Sequence, residues 1–228
     1  MNLPKPIRIC KSLLACHYGA SCRTRPSARI IGKTCKMSAS PNTVPQLREK
    51  LRLMSGSEIE RTLVRLAHEI IEKNNGSEKL GLVGIKRRGV PLAQRLAALI
   101  GAIERRPVPT GTLDIRFYRD DLSTHDVRPI VDAGEIGFDV AGRDIILVDD
   151  VLYTGRTIRA AMDALFDHGR PQRVQLLVLI DRGHRELPIE ATFVGRNVPT
   201  TAREIVEVKL KEIDNEEQVM LVERASEI

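Results

Sequence analysis

Acidic residues are missing from the first 48 positions, tryptophan from the whole chain, and cysteine from everything after residue 35. The lack of tryptophan is ordinary for an α/β protein; the other two absences each remove a class of protein. Nine of the 36 Lys and Arg residues lie in the acid-free leader, so the remainder carries 27 basic against 30 acidic residues and is net −3. The overall charge of +6 therefore misdescribes the body, which lacks the global basic field that attracts nucleic acid. Any anion site in it must come from local clustering. Cys10, Cys16, Cys22 and Cys35 form no CxxC pair, which argues against zinc, and a cysteine-free body fits a reducing compartment. No apolar run approaches the roughly 20 residues needed to span a bilayer, so the expectation is a soluble, cytoplasmic protein without a membrane partner. GxxxxGK[ST] is absent and Gly81, Gly84 and Gly89 do not fit GxGxxG, which removes the Walker and dinucleotide loops.

What is present begins with a tail. Residues 1–56 are basic, hold five prolines and show no sustained period, so they are expected to form a disordered N-terminal extension to a domain spanning 57–228. An Arg-rich leader poor in acids has the composition of an organelle transit peptide, which would change the compartment; a start at Met37 followed by a short disordered arm is the preferred reading. N-terminal sequencing of the native protein separates mature starts.

The rest is organised around Ile145-Ile146-Leu147-Val148-Asp149-Asp150-Val151-Leu152-Tyr153-Thr154-Gly155-Arg156-Thr157. An unbroken apolar run reads as a buried parallel strand, and ligands of open α/β sheets sit beyond the carboxyl ends of such strands. Asp149 and Asp150 fall there. Thr154, Gly155 and Thr157 then offer hydroxyls and close-approaching backbone N–H groups at a helix start, where an anion is favoured. The stretch suits a sugar phosphate. Paired aspartates also serve phosphoacceptor and phosphatase sites, but here the Thr-Gly-Arg-Thr turn follows too closely.

Other segments support an α/β fold. Ser57-Glu58-Ile59-Glu60 reads as a capping box for a helix that carries Ile59, Leu63, Leu66 and Ile70 on one face and ends at Asn74-Asn75-Gly76. Arg61, Arg65 and His68, with Val64 among them, occupy the opposite face, which is either solvated or in contact with an anion. Leu80 to Ile85 reads as a buried strand, followed by Lys86-Arg87-Arg88-Gly89 and a helix with Pro91 in its first turn. Three adjacent cations at a strand end predict a second anion site. Val108 to Ile115 is a further strand, leading into Arg116-Phe117-Tyr118-Arg119 and a polar run to Asp126 that reads as a lid. Ile158, Met162 and Leu165 continue a helix to His168-Gly169, Val174 to Ile180 is the next strand, and Ile205 to Leu210 and Val219 to Val222 are the last two. Strands alternating with helices give a doubly wound, mostly parallel sheet.

LVGIKRRG, DIRFYRDDL, IILVDDVLYTGRT and LVLIDRGHRELPI, as they stand here, closely resemble the motifs of the pyrimidine operon regulator and uracil phosphoribosyltransferase family (PyrR), within the type I phosphoribosyltransferases. The resemblance runs from about Ser57 to the C-terminus. It implies a type I phosphoribosyltransferase-like sheet with a flexible lid and a small hood, and transfer of phosphoribose from phosphoribosyl diphosphate to uracil, giving UMP and pyrophosphate with Mg²⁺ bound mainly through the substrate. By that likeness Asp149 and Asp150 hold ribose hydroxyls, and Tyr153, Thr154, Gly155, Arg156 and Thr157 hold the 5′-phosphate. Lys86, Arg87 and Arg88 neutralise the leaving group, Arg116, Tyr118 and Arg119 close over it, and Asp181, Arg182 and Gly183 border the base. Asp149, Asp150, Arg88 and Arg119 are the residues expected to carry the chemistry, and no dedicated protein cage for the metal is expected.

The same likeness implies a homo-oligomer and UMP-dependent binding of pyrimidine-operon leader RNA, with Arg65, His68 and Arg185 on the RNA face. Val64 stands where a Thr is usual and Glu190 where an Arg is usual, and a carboxylate in place of a phosphate partner repels RNA. Three readings stay open: a uracil salvage enzyme, an RNA-binding attenuation regulator with little enzyme activity, and a salvage enzyme for another base.

Overall fold

The computed structural model describes residues 47–116 and 135–224, which belong to a compact unit beginning at Val44. In chain order the elements are β1 (Leu47–Ser55), α1 (Gly56–Asn74), β2 (Leu80–Ile85), α2 (Gly89–Glu104), β3 (Thr110–Leu113), β4 (Asp144–Leu152), α3 (Arg156–Asp167), β5 (Arg173–Asp181), β6 (Phe193–Asn197), β7 (Glu204–Lys209), α4 (Lys211–Asp214) and β8 (Gln218–Arg224).

Five of the strands form a parallel sheet in the order β3-β2-β4-β5-β6. Its three central strands are apolar because both faces are covered. The period-2 alternation of side chains sorts them between two cores. Leu82, Ile146, Val148, Leu177 and Leu179 face Leu63, Leu66 and Ile70 of α1 and Leu92, Leu96 and Ile100 of α2. Val83, Ile145, Leu147, Leu176 and Val178 face Ile158, Ala161 and Leu165 of α3. The doubly wound parallel sheet read from the sequence is the fold found.

A second sheet, β1-β8-β7, is antiparallel and forms the hood. The last two strands therefore lie outside the main sheet, and β6 and α4 are additions to the sequence reading. The domain boundary also moves. Residues 47–55, expected in the disordered extension, form β1 and pair with β8 from Leu47 opposite Arg224 to Ser55 opposite Gln218. The strand was hidden because its register breaks between Glu49 and Leu51 and again between Arg52 and Met54, which destroys the alternation a strand search relies on. The cap of α1 moves with it. Ser55, not Ser57, is the N-cap, and its backbone N–H donates to the Glu58 carboxylate at 2.8 Å. At the other end Asn75 takes the left-handed conformation, φ 53°, as the Asn-Asn-Gly signal implied.

Candidate active site

The strand order reverses between β2 and β4, and a cleft of about 700 Å³ opens beyond the carboxyl ends at that point. Three loops and one helix start wall it. Lys86, Arg87 and Arg88 follow β2, Asp114 and Arg116 follow β3, Asp149 and Asp150 end β4, and Thr157 opens α3. The backbone that follows these cations, at Gly89, lies close against β4. A Cβ on Gly89 would stand 2.2 Å from the Val148 carbonyl oxygen, so only glycine permits the approach.

Each charged group in the cleft has a definite environment. Asp149 is 6% exposed and accepts the Asp150 amide at 2.9 Å; burial, with the Asp150 charge beside it, pushes its carboxyl well above the usual range. Asp150 is half-buried and accepts the Val151 amide at 3.0 Å. Arg88 donates to both oxygens of Asp214 in α4, at 3.3 and 3.0 Å, so the anion loop is tied to the hood. Arg95, two helical turns further along α2, grips Glu212 through two contacts of 2.8 Å and also pairs with Glu217. Asp114 had no place in the sequence reading. It is buried, accepts the Arg116 side chain at 2.6 to 3.0 Å and lies 3.7 Å from the Lys86 ammonium.

The turn between β4 and α3 has the geometry expected of an anion cradle. Gly155 is the N-cap of α3 with φ 92°, leaving the first-turn N–H groups without helical partners. The Thr154 carbonyl accepts the amides of Glu186 and Leu187 at 3.0 and 3.2 Å, and Arg156 pairs with Glu186 at 2.7 Å. The 185–189 segment is thereby docked on the turn between β4 and α3. Tyr153 is 39% exposed, with the Arg182 guanidinium 4.1 Å above its ring.

The family of phosphoribosyl transferase domains matches residues 52–213. A bifunctional protein PyrR of Pelotomaculum thermopropionicum is 59% identical over 178 residues, covering 78% of this chain and 98% of that protein. The chain belongs to the PyrR family. A bifunctional protein PyrR of Thermus thermophilus is 57% identical over 78% of this chain and 98% of its own length. Among solved structures, the hypoxanthine phosphoribosyltransferase of Trypanosoma cruzi superposes with a TM-score of 0.59 at 18% identity, over 78% of this chain and 98% of that one, which concerns the fold alone.

The remaining residues implied by the PyrR likeness are not all brought to this cleft. Asp181, Arg182 and Gly183 line a separate depression of about 440 Å³ that also includes Arg185, Glu190 and Asn197. Arg182 is 6% exposed and donates to the carbonyls of Thr201 and Glu204 at 3.2 and 2.6 Å and to the Thr200 hydroxyl at 3.1 Å, which fastens the hood to the end of β5. Gly183 takes φ 79° and donates its amide to Asp181 at 2.9 Å. Tyr118 and Arg119, with the lid tip, lie outside the described residues.

On the face implied for RNA, Arg65 and His68 are exposed on α1 beside Arg61, as expected. Arg196 of β6 joins them, lining a groove of about 420 Å³ with Arg61 and Arg65; the sequence reading had no reason to bring it there, because β6 was not foreseen. Arg185 is directed inward instead, donating to the Tyr153 and Ile189 carbonyls at 2.8 and 3.0 Å and to Asp181. Val64 and Glu190 are both exposed. No helix among the described residues is long and apolar enough to cross a membrane.

Proposed function

We propose that this chain is a cytoplasmic uracil phosphoribosyltransferase, which joins uracil N1 to C1′ of phosphoribosyl diphosphate, breaks the C1′–pyrophosphate bond and releases a proton from N1. One observation carries the reading: a single cleft at the sheet's switch point sets Asp149 and Asp150 against Lys86 and Arg88, with the α3 anion cradle at its side. The relatives called bifunctional PyrR support it.

No covalent nucleophile is needed. The anomeric carbon takes on oxocarbenium character, so the protein's work is to place the base and stabilise the departing charge. Asp149 and Asp150 accept from the ribose hydroxyls. The N–H groups and hydroxyls of 154–157 hold the 5′-phosphate, and Lys86, Arg87 and Arg88 receive the pyrophosphate. The donor set also fits Mg²⁺: two carboxylates side by side repel each other, and a divalent ion that keeps most of its ligands as water and substrate oxygens needs only one or two of them. Bound there, the ion would neutralise part of the leaving group's charge. Among the described residues no group of three or more His, Cys, Asp or Glu side chains is disposed to hold a metal alone.

The test is uracil-dependent release of pyrophosphate, with hypoxanthine and orotate assayed beside it. Asp150→Asn and Arg88→Ala should each lower transfer by about tenfold or more with the fold intact. Unchanged release in both variants would remove the assignment.

The second activity, binding of the gene's own leader RNA in the UMP-bound form, is favoured by the exposed Arg61, Arg65, His68 and Arg196 on adjoining elements. Glu190 and the net −3 body weaken it. Filter binding with and without UMP over a salt series separates the cases, since phosphate contacts make retention steeply salt-dependent. Retention that vanishes on deleting residues 1–48 belongs to the leader. Light scattering on the same preparation tests the homo-oligomer.

A further inference from the structure

A carboxylate with only 3% of its side chain exposed requires partners, and Asp114 finds them on two different walls of the cleft. Arg116 supplies its backbone N–H at 3.1 Å, its Nε at 3.0 Å and its Nη2 at 2.6 Å. Lys86 supplies its ammonium at 3.7 Å from the other side. The walls themselves are joined just beneath, where the Lys86 amide donates to the Leu113 carbonyl at 2.9 Å.

Both cations reach the solvent, with side chains 39% and 74% exposed. Long basic side chains at that exposure sample many rotamers, and each must be immobilised when it grips an anion. Asp114 performs part of that immobilisation in advance. An ammonium has three donors, and the contact with Asp114 occupies at most one of them, so Lys86 can face the carboxylate and a ligand together. The Arg116 hydrogen bonds hold the Asp114 carboxyl below its usual range despite its burial, so the group stays charged as the cleft is loaded. Arg88 shows the same device from the hood side, through Asp214, whereas Asp114 joins cations on two walls of the cleft and is fixed in the body of the domain.

We infer that Asp114 is a positioning residue for the diphosphate group of the donor substrate, acting through Arg116 and Lys86. The inference rests on the phosphoribosyltransferase reading of the cleft. Removing the carboxylate has two opposed effects: it leaves the cations unplaced, which weakens binding, and it removes a negative charge from the cleft, which strengthens it. The carboxylate lines the cleft, but its charge is already offset by two cations, so the loss of placement prevails.

Asp114→Asn should raise the KM for phosphoribosyl diphosphate about tenfold and weaken binding of inorganic pyrophosphate with Mg²⁺, followed by calorimetry, to the same extent. The kcat and the KM for uracil should stay within about threefold. In an Arg116→Ala background the further penalty of Asp114→Asn should shrink to about threefold, because the residue through which it acts is gone. Arg116→Lys keeps both charges but cannot make the two-pronged contact, and should reproduce the KM shift in a chain that retains its buried carboxylate.

A fall in KM on Asp114→Asn would make the carboxylate a competitor of the diphosphate and overturn the inference. So would a full penalty persisting in the Arg116→Ala background, or a joint change of kcat and both KM values with a lowered melting point. A wild-type chain that binds pyrophosphate without using uracil would overturn the choice of base and leave the Asp114 comparison measurable. An active wild type with unshifted variants overturns the inference alone.

Discussion

The two sheets of this protein share one apolar core and differ in how much charge is added to it. The parallel sheet is built from residues 80–197, and its strands β2, β4 and β5 are enclosed by apolar side chains on both faces. The hood is assembled from the N-terminal strand β1 and the C-terminal β7 and β8; it buries Met54, Val208, Leu210 and Val219 in the core shared with α1 and α2, and polar contacts to itself and to its neighbours are added to that burial. Lys50 joins Glu204 across the hood at 2.5 Å, Arg88 and Arg95 hold α4, and Arg182 reaches into the turn before β7. The difference separates stability from ligand handling. The floor of the cleft rests on burial, which no substrate can exchange, while the hood, tied to the loop after β2 through Arg88 and Asp214, adds to its burial charges of the kind a diphosphate also carries.

The floor should fail first and hardest. Leu147 is fully buried between β4 and α3, and Leu147→Ala should cost about 2–5 kcal/mol of global stability in denaturant unfolding. A loss below about 1 kcal/mol would show that the two sheets are not distinguished in this way.

The next break lies where the floor meets the anion loop. Gly89→Ala drives a methyl against the Val148 carbonyl, so the loop must shift, and a displacement of about 1 Å at the reacting groups is enough for roughly a hundredfold loss of transfer. Transfer unchanged in this variant would mean that the close approach is incidental.

The smallest effect belongs to the hood and is read by pH. The Lys50 hydrogen bond and the Thr201 amide hold the Glu204 carboxyl down to about 2, from an ordinary value of 4.5. A depressed carboxylate contributes stability that is complete above the unfolded value and is lost as pH falls through the folded one. Between about 4.5 and about 2 the amides of β1 and β7 should therefore lose hydrogen-exchange protection before those of β4. Simultaneous loss in all three strands would make the hood and the floor one cooperative unit.

The same contrast governs what could be read from the sequence. β2, β4 and β5 announce themselves because a strand covered on both faces is an apolar run, and the cleft follows because chemistry sits at their carboxyl ends. Asp149, Asp150, Lys86, Arg88 and Thr157 meet there as their motifs implied. β1 does not announce itself: its partner β8 begins 163 residues after Ser55, and two irregularities break its pattern. Asp114 was equally silent. A lone acid after a four-residue strand resembles any loop carboxylate until Arg116 and Lys86 are seen around it, although its alternation with Ile115 and Arg116 at a strand end was a usable signal. Arg182 and Arg185 are assigned to the base and to RNA by the family likeness, and a motif does not reveal that both guanidinium groups are engaged by backbone carbonyls.

The Thr154 carbonyl, which accepts two amides from the 185–189 segment, makes the 149–157 stretch and the HRELPI stretch interdependent. Neither can be transplanted alone. A graft of 149–157 into another sheet would leave the Glu186 and Leu187 amides without their acceptor, and an exchange of 185–189 by itself would strip the turn of its buttress. In recombination, whether natural or engineered, the two stretches behave as one module split by 27 residues of intervening chain.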